Sequence, residues 1–168
     1  MSVVAYIGIG ANLGAPARAI RAAVERLARL PGTRVEAASS LYRSAPVGTS
    51  QPQPDYLNAV ARLRTGLSAD RLLAALHSIE RDLGRVRAER NAARTIDLDL
   101  LLYGDRRLRL PGLDVPHPRM HLRAFVLLPL LELAPDALIP GVGPASALLP
   151  AVADQRIERL ESPSEEAA

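Results

Sequence analysis

Hydrophobic and polar positions change period several times along the chain, and each change marks an element. Residues 3–10 form a short apolar run with weak alternation and read as a buried strand. Between about 16 and 30 the apolar positions Ile20, Val24, Leu27 and Leu30 recur at helical spacing, and Pro31-Gly32 stops that helix. Residues 35–43 read as a second strand that ends in the loop 44–48. The stretch 49–55, with two prolines, reads as a loop. Residues 56–64 alternate through Leu57, Ala59, Ala61 and Leu63, as a half-buried strand does. Ser68 suits the N-cap of a helix running to about Leu83, with Leu72, Leu73, Leu76, Ile79 and Leu83 inward and Gly84 at its end. An arginine-rich loop, 85–94, leads into a strand ending at Tyr103. Gly104-Asp105 signals a turn, and residues 115–118 a stiff extended loop. Residues 124–133 predict a helix that Pro129 must bend or end early. A short last helix is expected over 151–160.

The order β-α-β-β-α-β predicts an α+β protein of the ferredoxin-like, split βαβ type. Its antiparallel sheet would carry helices on one face and leave the other open for a ligand, with a C-terminal helical extension. A single domain over 1–161 and a disordered tail over 162–168 are expected. The run Val3-Val4-Ala5-Tyr6-Ile7 reads as a strand and not a signal peptide, and no apolar run is long enough for a membrane helix.

The strand before Tyr103 breaks its own pattern. In Arg94-Thr95-Ile96-Asp97-Leu98-Asp99-Leu100, the residues Ile96, Leu98 and Leu100 face a core, while Asp97 and Asp99 share the other face with Cα atoms ~7 Å apart. Two carboxylates there repel and lose hydration unless cations sit beside them, either arginines or a metal ion. An oxygen-only pair suits Mg²⁺, which takes its other ligands from water and substrate phosphates. A charged pair on an edge strand is the bland alternative.

Composition narrows how phosphate could be held. All 21 basic residues are arginine and no lysine occurs, which excludes a P-loop lysine, a kinase strand lysine and a Schiff-base lysine. The chain has no cysteine, so thiolate sites and disulfides are excluded and the cytoplasm is the natural compartment. A net charge of +3 is compatible with anionic ligands, but 3% aromatic residues supply a base-stacking surface poorly. The loop before the aspartates holds Arg85, Arg87, Arg90 and Arg94, whose guanidinium forks match phosphate oxygens. His117, fixed between Pro116 and Pro118, could donate to phosphate. Gly8-Ile9-Gly10-Ala11-Asn12-Leu13-Gly14 misses the dinucleotide spacing and reads as a tight turn entering the first helix.

These segments together resemble the 6-hydroxymethyl-7,8-dihydropterin pyrophosphokinase family over roughly residues 3–135. The pieces are residues 7–14, Tyr42-Arg43-Ser44-Ala45-Pro46-Val47-Gly48, Asp55-Tyr56-Leu57-Asn58-Ala59-Val60, Gly84-Arg85-Val86-Arg87, the aspartate strand, and Val115-Pro116-His117 followed by Arg123-Ala124-Phe125. The resemblance implies transfer of the ATP β,γ-diphosphate to the pterin hydroxymethyl group in folate synthesis, releasing AMP. It implies that Asp97 and Asp99 hold two Mg²⁺ ions. By the same matching, Glu80, Arg85, Arg87, Arg94, His117 and Arg123 contact ATP, with Arg85 and Arg94 also catalytic. The pterin would lie among Ser44, Val47, Tyr56, Asn58 and Phe125. The partners implied are these two small molecules, with no nucleic acid, no membrane and a monomeric chain.

The chain departs from the family pattern in places. Where relatives commonly carry Trp-Gly-Pro it has Asn91-Ala92-Ala93, in a loop one residue shorter, so an aromatic lid contact is missing. Ser44 stands where Thr is familiar. Two other classes fit less well. A polymerase-β-like nucleotidyltransferase would want a Gly-Ser turn upstream of the aspartates, and an RNA-binding module would want exposed aromatics on its central strands.

Overall fold

The computed structural model describes residues 2–46, 54–87 and 96–160, with side chains described only to 84 within the second stretch. Strand β1 (Val3–Ala11) leads into α1 (Pro16–Ala28). Then come β2 (Thr33–Ala38), β3 (Tyr42–Ser44), β4 (Tyr56–Thr65), α2 (Ala69–Arg87) and β5 (Asp97–Tyr103). Next are the hairpin strands β6 (Leu108–Leu110) and β7 (Leu113–Val115), then α3 (Ala124–Leu133). The short strands β8 (Leu138–Ile139) and β9 (Gly143–Pro144) and the edge strand β10 (Ile157–Arg159) follow, with 3₁₀ turns over Met120–Leu122 and Ala145–Val152.

The main sheet runs β10-β3-β4-β1-β5, and β2 also pairs with β4. Every pairing is antiparallel. If β2 and β3 are taken as one interrupted strand, this is the ferredoxin-like arrangement expected from the order of elements.

Period-two alternation decides the core. Ala5, Ile7 and Ile9 of β1, Leu57, Ala59, Ala61 and Leu63 of β4, and Leu98 and Leu100 of β5 all join one buried cluster. The α1 residues Ala19, Ile20, Ala23 and Leu27 pack into it, as do Leu72, Leu76 and Ile79 of α2. Pro16 opens α1, where its missing N–H costs nothing, and the turn before it needs the positive φ of Gly14.

The opposite face is not open along its length, contrary to the sequence expectation. A second cluster covers part of it: Val60 and Leu101 from the strands, Met120, Val126, Leu127 and Leu130 from the segment through α3, and Val152. A bulge in β5 adds to this cover. Register slips between Tyr6 and Ile7, so Leu101 and Leu102 both enter the second cluster and Tyr103 returns to the first. The Tyr103 hydroxyl then donates to the Leu67 carbonyl at 2.6 Å.

Three other expectations change. The second strand is split, because at Ser39 a side chain takes over the ladder: its Oγ accepts the Val60 N–H at 2.9 Å. Helix α2 runs through Gly84 to Arg87, so Arg85 and Arg87 are helical and not in a loop. Helix α3 keeps its expected bounds, with Pro129 inside it and no early end. The expected last helix is instead β10, because the open edge of β3 offers Tyr42–Ser44 as pairing partners for residues 157–159. The expected disorder of 162–168 lies outside the described residues. Among the described residues no helix is long and apolar enough to cross a membrane.

The β2–β3 break is tied to α3 by Glu132. Its carboxylate accepts from the Ser40 N–H (3.0 Å), the Ser40 hydroxyl (3.1 Å) and the Tyr42 hydroxyl (2.8 Å). Burial, and then the adjacent Glu132 carboxylate, push the Tyr42 phenol up to about 12 from 10.0. The folded chain therefore holds this proton more tightly than the unfolded chain. The contribution is complete below the unfolded value and is lost as pH rises through the folded one. No lysine titrates in that window. The urea midpoint is expected to fall between about pH 10 and about pH 12, and to fall less in Tyr42→Phe. Equal falls in the two proteins would contradict the assignment.

Candidate active site

The uncovered end of the second face is floored by bare backbone. Gly10 of β1 lies opposite Asn58 on one side and Asp97 on the other. Gly8, two residues earlier, lies between Val60 and Asp99 in the same way. These rows set an amide on β4 and a carboxylate on β5 about 10 Å apart, two strand spacings, with no side chain between them. A Cβ on Gly10 would sit 3.3 Å from Asn58 Oδ1, and one on Gly8 would sit 3.4 Å from the Leu101 methyls. The glycines are thus strand residues forming a site floor. The expected turn lies later, at Gly14, and the signal for the floor was in the sequence: both glycines fall on the face opposite Ala5, Ile7 and Ile9.

Over this floor stands a cavity of about 540 Å³. Asp97, Asp99, Ser44, Tyr56, Asn58, Arg123 and Phe125 line it, which brings both carboxylates together with most of the residues expected around a flat ring. Arg119 and Gln155 line it too, and sequence reasoning singled out neither. Val47 and Arg94 lie outside the described residues, as do the side chains of Arg85 and Arg87.

Asn58 is 4% exposed and committed in one direction. Its Nδ2 donates to Ser44 Oγ (2.8 Å) and to the Tyr42 carbonyl (3.3 Å). Ser44 Oγ accepts that bond, so its own O–H is left to donate. The ring edge that this pair suits has a donor facing Asn58 Oδ1 and an acceptor facing Ser44. Arg123 lies 5.5 Å from the Phe125 ring centroid, a cation over an aromatic face.

The carboxylate strand is the sheet edge, so its outward backbone groups need partners. Glu80 of α2 supplies one: its carboxylate accepts the N–H of Leu98, between the two aspartates, at 2.8 Å. Sequence matching put Glu80 on the nucleotide side, and the geometry gives it this anchoring bond as well. Glu80→Ala, which strands the Leu98 N–H, is expected to lower activity about tenfold. Glu80→Gln keeps an acceptor and is expected to retain most of it. Steady-state rates of both variants check this, and full activity in Glu80→Ala would refute it.

A second outward group, the Leu101 carbonyl, accepts the N–H of His117 at 3.0 Å. His117 does not line the 540 Å³ cavity but a second one of about 370 Å³, with Arg107, Arg109, Asp114 and His121. Its Nδ1 accepts the Arg119 N–H at 3.1 Å, so the neutral ring carries its proton on Nε2 as a donor. Burial lowers the imidazole pKa from its ordinary value. Asp99 opposes that shift and Arg123 and Arg119 add to it.

Two carboxylates on one strand face, with glycines beside them, fit an oxygen-bound divalent ion whose other ligands are water and phosphate. Among the described residues no group of three or more His, Cys, Asp or Glu is placed to hold a metal, so of these residues the aspartate pair is the candidate holder.

A family model described as 7,8-dihydro-6-hydroxymethylpterin-pyrophosphokinase matches residues 6–135. The chain is 42% identical over 158 residues to the 2-amino-4-hydroxy-6-hydroxymethyldihydropteridine pyrophosphokinase of Haemophilus influenzae, covering 94% of this chain and 98% of that protein. It is 48% identical over 155 residues to the Pseudomonas aeruginosa protein of the same name, covering 92% and 95%. Among solved structures it resembles Plasmodium falciparum HPPK-DHPS with a TM-score of 0.68 at 13% identity, a likeness of fold. That match covers 88% of this chain and 45% of the longer one. The chain belongs to the 7,8-dihydro-6-hydroxymethylpterin-pyrophosphokinase family.

Proposed function

We propose that the cavity over Gly8 and Gly10 binds ATP beside 6-hydroxymethyl-7,8-dihydropterin and transfers the β,γ-diphosphate to the hydroxymethyl oxygen. The observation that carries this reading is the row Asn58–Gly10–Asp97, with a ring-recognising amide and a carboxylate on one open floor. The pterin edge pairs with Asn58 Oδ1 and the Ser44 hydroxyl. Its faces lie against Tyr56 and Phe125, and the family resemblance adds Val47 to the residues that contact it.

The phosphates lie toward β5. Asp97 and Asp99 would hold Mg²⁺, two ions on this reading, which when bound neutralises phosphate charge and orients the triphosphate. The hydroxymethyl oxygen forms a bond to the β-phosphorus, and the bond from that phosphorus to the α,β-bridging oxygen breaks. AMP leaves with the bridging oxygen, and the hydroxyl proton passes to water. Arg123 and a neutral His117 donate to phosphate oxygens, together with Arg85, Arg87 and Arg94 from the segment before β5. Arg85 and Arg94 stabilise charge on the group in transfer. The bare floor lets the reacting atoms approach in line without a side chain between them. ATP as co-substrate fits a cytoplasmic reaction.

The test is to identify the nucleotide product with and without the pterin. AMP formed only when the pterin is present supports the reading. ADP as the product overturns it.

A further inference from the structure

Gln155 lies twenty residues beyond the segment that matches the family model, yet it lines the cavity. Its side-chain amide makes two backbone bonds: Oε1 accepts the Ala124 N–H at 2.8 Å, and Nε2 donates to the Leu122 carbonyl at 2.8 Å. The residue enclosed between them is Arg123, extended at φ −124°, ψ 112°. The amide therefore pairs with Arg123's two flanking peptides as a neighbouring strand would. It also satisfies an N–H at the start of α3, where Arg123 offers no side-chain cap. Arg123 in turn lies over Phe125.

The next two residues reach strands β3 and β4. Arg156 Nη2 reaches Asp55 at 3.3 Å, next to Tyr56, and Ile157 pairs with Ser44 in the sheet. Gln155 lines the cavity itself, and the two residues after it contact neighbours of the lining residues Tyr56 and Ser44.

We propose that Gln155 is a positioning residue for this site, acting through the backbone of residues 122–124 to fix Arg123 and Phe125. The inference rests on the proposed function. A glutamine is needed because the position must both accept and donate. Gln155→Glu has the same shape and keeps the bond from Ala124, where the helix N-terminus favours a carboxylate. It cannot donate to the Leu122 carbonyl and sets two acceptors face to face. Gln155→Ala loses both bonds.

The experiment measures, for wild type and both variants, the melting temperature, AMP release, and the Kd for 6-hydroxymethyl-7,8-dihydropterin with Mg²⁺ and a non-hydrolysable ATP analogue. Gln155→Glu is expected to melt as wild type does, while its Kd rises and its kcat/KM falls by about tenfold, as for a reacting group set slightly out of place. Gln155→Ala is expected to show the same losses with a lower melting temperature. Wild-type affinity and rate in Gln155→Glu overturn the positioning role, including the case where Gln155→Ala alone is impaired in step with its melting temperature. A wild-type protein that neither binds the pterin nor releases AMP overturns the site assignment beneath it.

Discussion

Asp97→Ala and Asp99→Ala are each expected to lower AMP release by about 10³-fold or more without loss of the fold, because the interaction removed is made mainly with the charge of the reacting phosphates. The two side chains share one face of an edge strand whose other face, Leu98 and Leu100, supplies the buried contacts. Removing either carboxylate deletes no core packing. Stability is therefore expected to change far less than activity. Thermal unfolding alongside the rate assay checks both halves. A variant that loses rate only because it melts would contradict the account, as would one that keeps its rate.

The second large effect is expected at Asn58. Asn58→Ala removes the donor bonded to Ser44 Oγ and the Tyr42 carbonyl and strands those groups in a buried place. The cost to stability is about 1–3 kcal/mol. The cost to function is larger, because a site built to hydrogen-bond one ring edge discriminates strongly when its polar groups lose their pairing. The KM for the pterin is expected to rise by about 10²-fold while the KM for ATP changes little. Asn58→Asp, of the same size, also fails to donate and is expected to behave alike. Equal changes in both KM values would mean that Asn58 supports the fold and does not select the pterin.

How much of this was legible in the sequence depends on how local each cause is. The alternation of β4, the stripe of α2 and the paired aspartates arise within a few residues, and the structure keeps them. The break between β2 and β3 does not, because Ser39 gains its partner from Val60. Nor does β10, whose three residues become a strand only where β3 offers an edge. The covered second face depends on residues 120–152 packing back over the sheet, and the β5 bulge that adds Leu102 to that cluster is a pairing event with β1 that the apolar run Leu100-Leu101-Leu102 does not announce.

Of the site, Asp97, Asp99, Asn58, Tyr56, Phe125, Ser44 and Arg123 are legible in the sequence and line one cavity. The glycine floor is visible as alternation, but a run so rich in glycine reads more readily as a turn. Gln155 gave no signal, since a lone glutamine near the end of a chain has no pattern. Its place depends on the fold of the thirty residues before it.

The most direct measurement uses ATP labelled at its β-phosphorus, incubated with Mg²⁺ and 6-hydroxymethyl-7,8-dihydropterin, with separation of the products. The account predicts that the label moves to the pterin and that the AMP formed carries none, in wild type and not in Asp97→Ala. Label recovered in ADP, with only the γ-phosphate on the pterin, would contradict it.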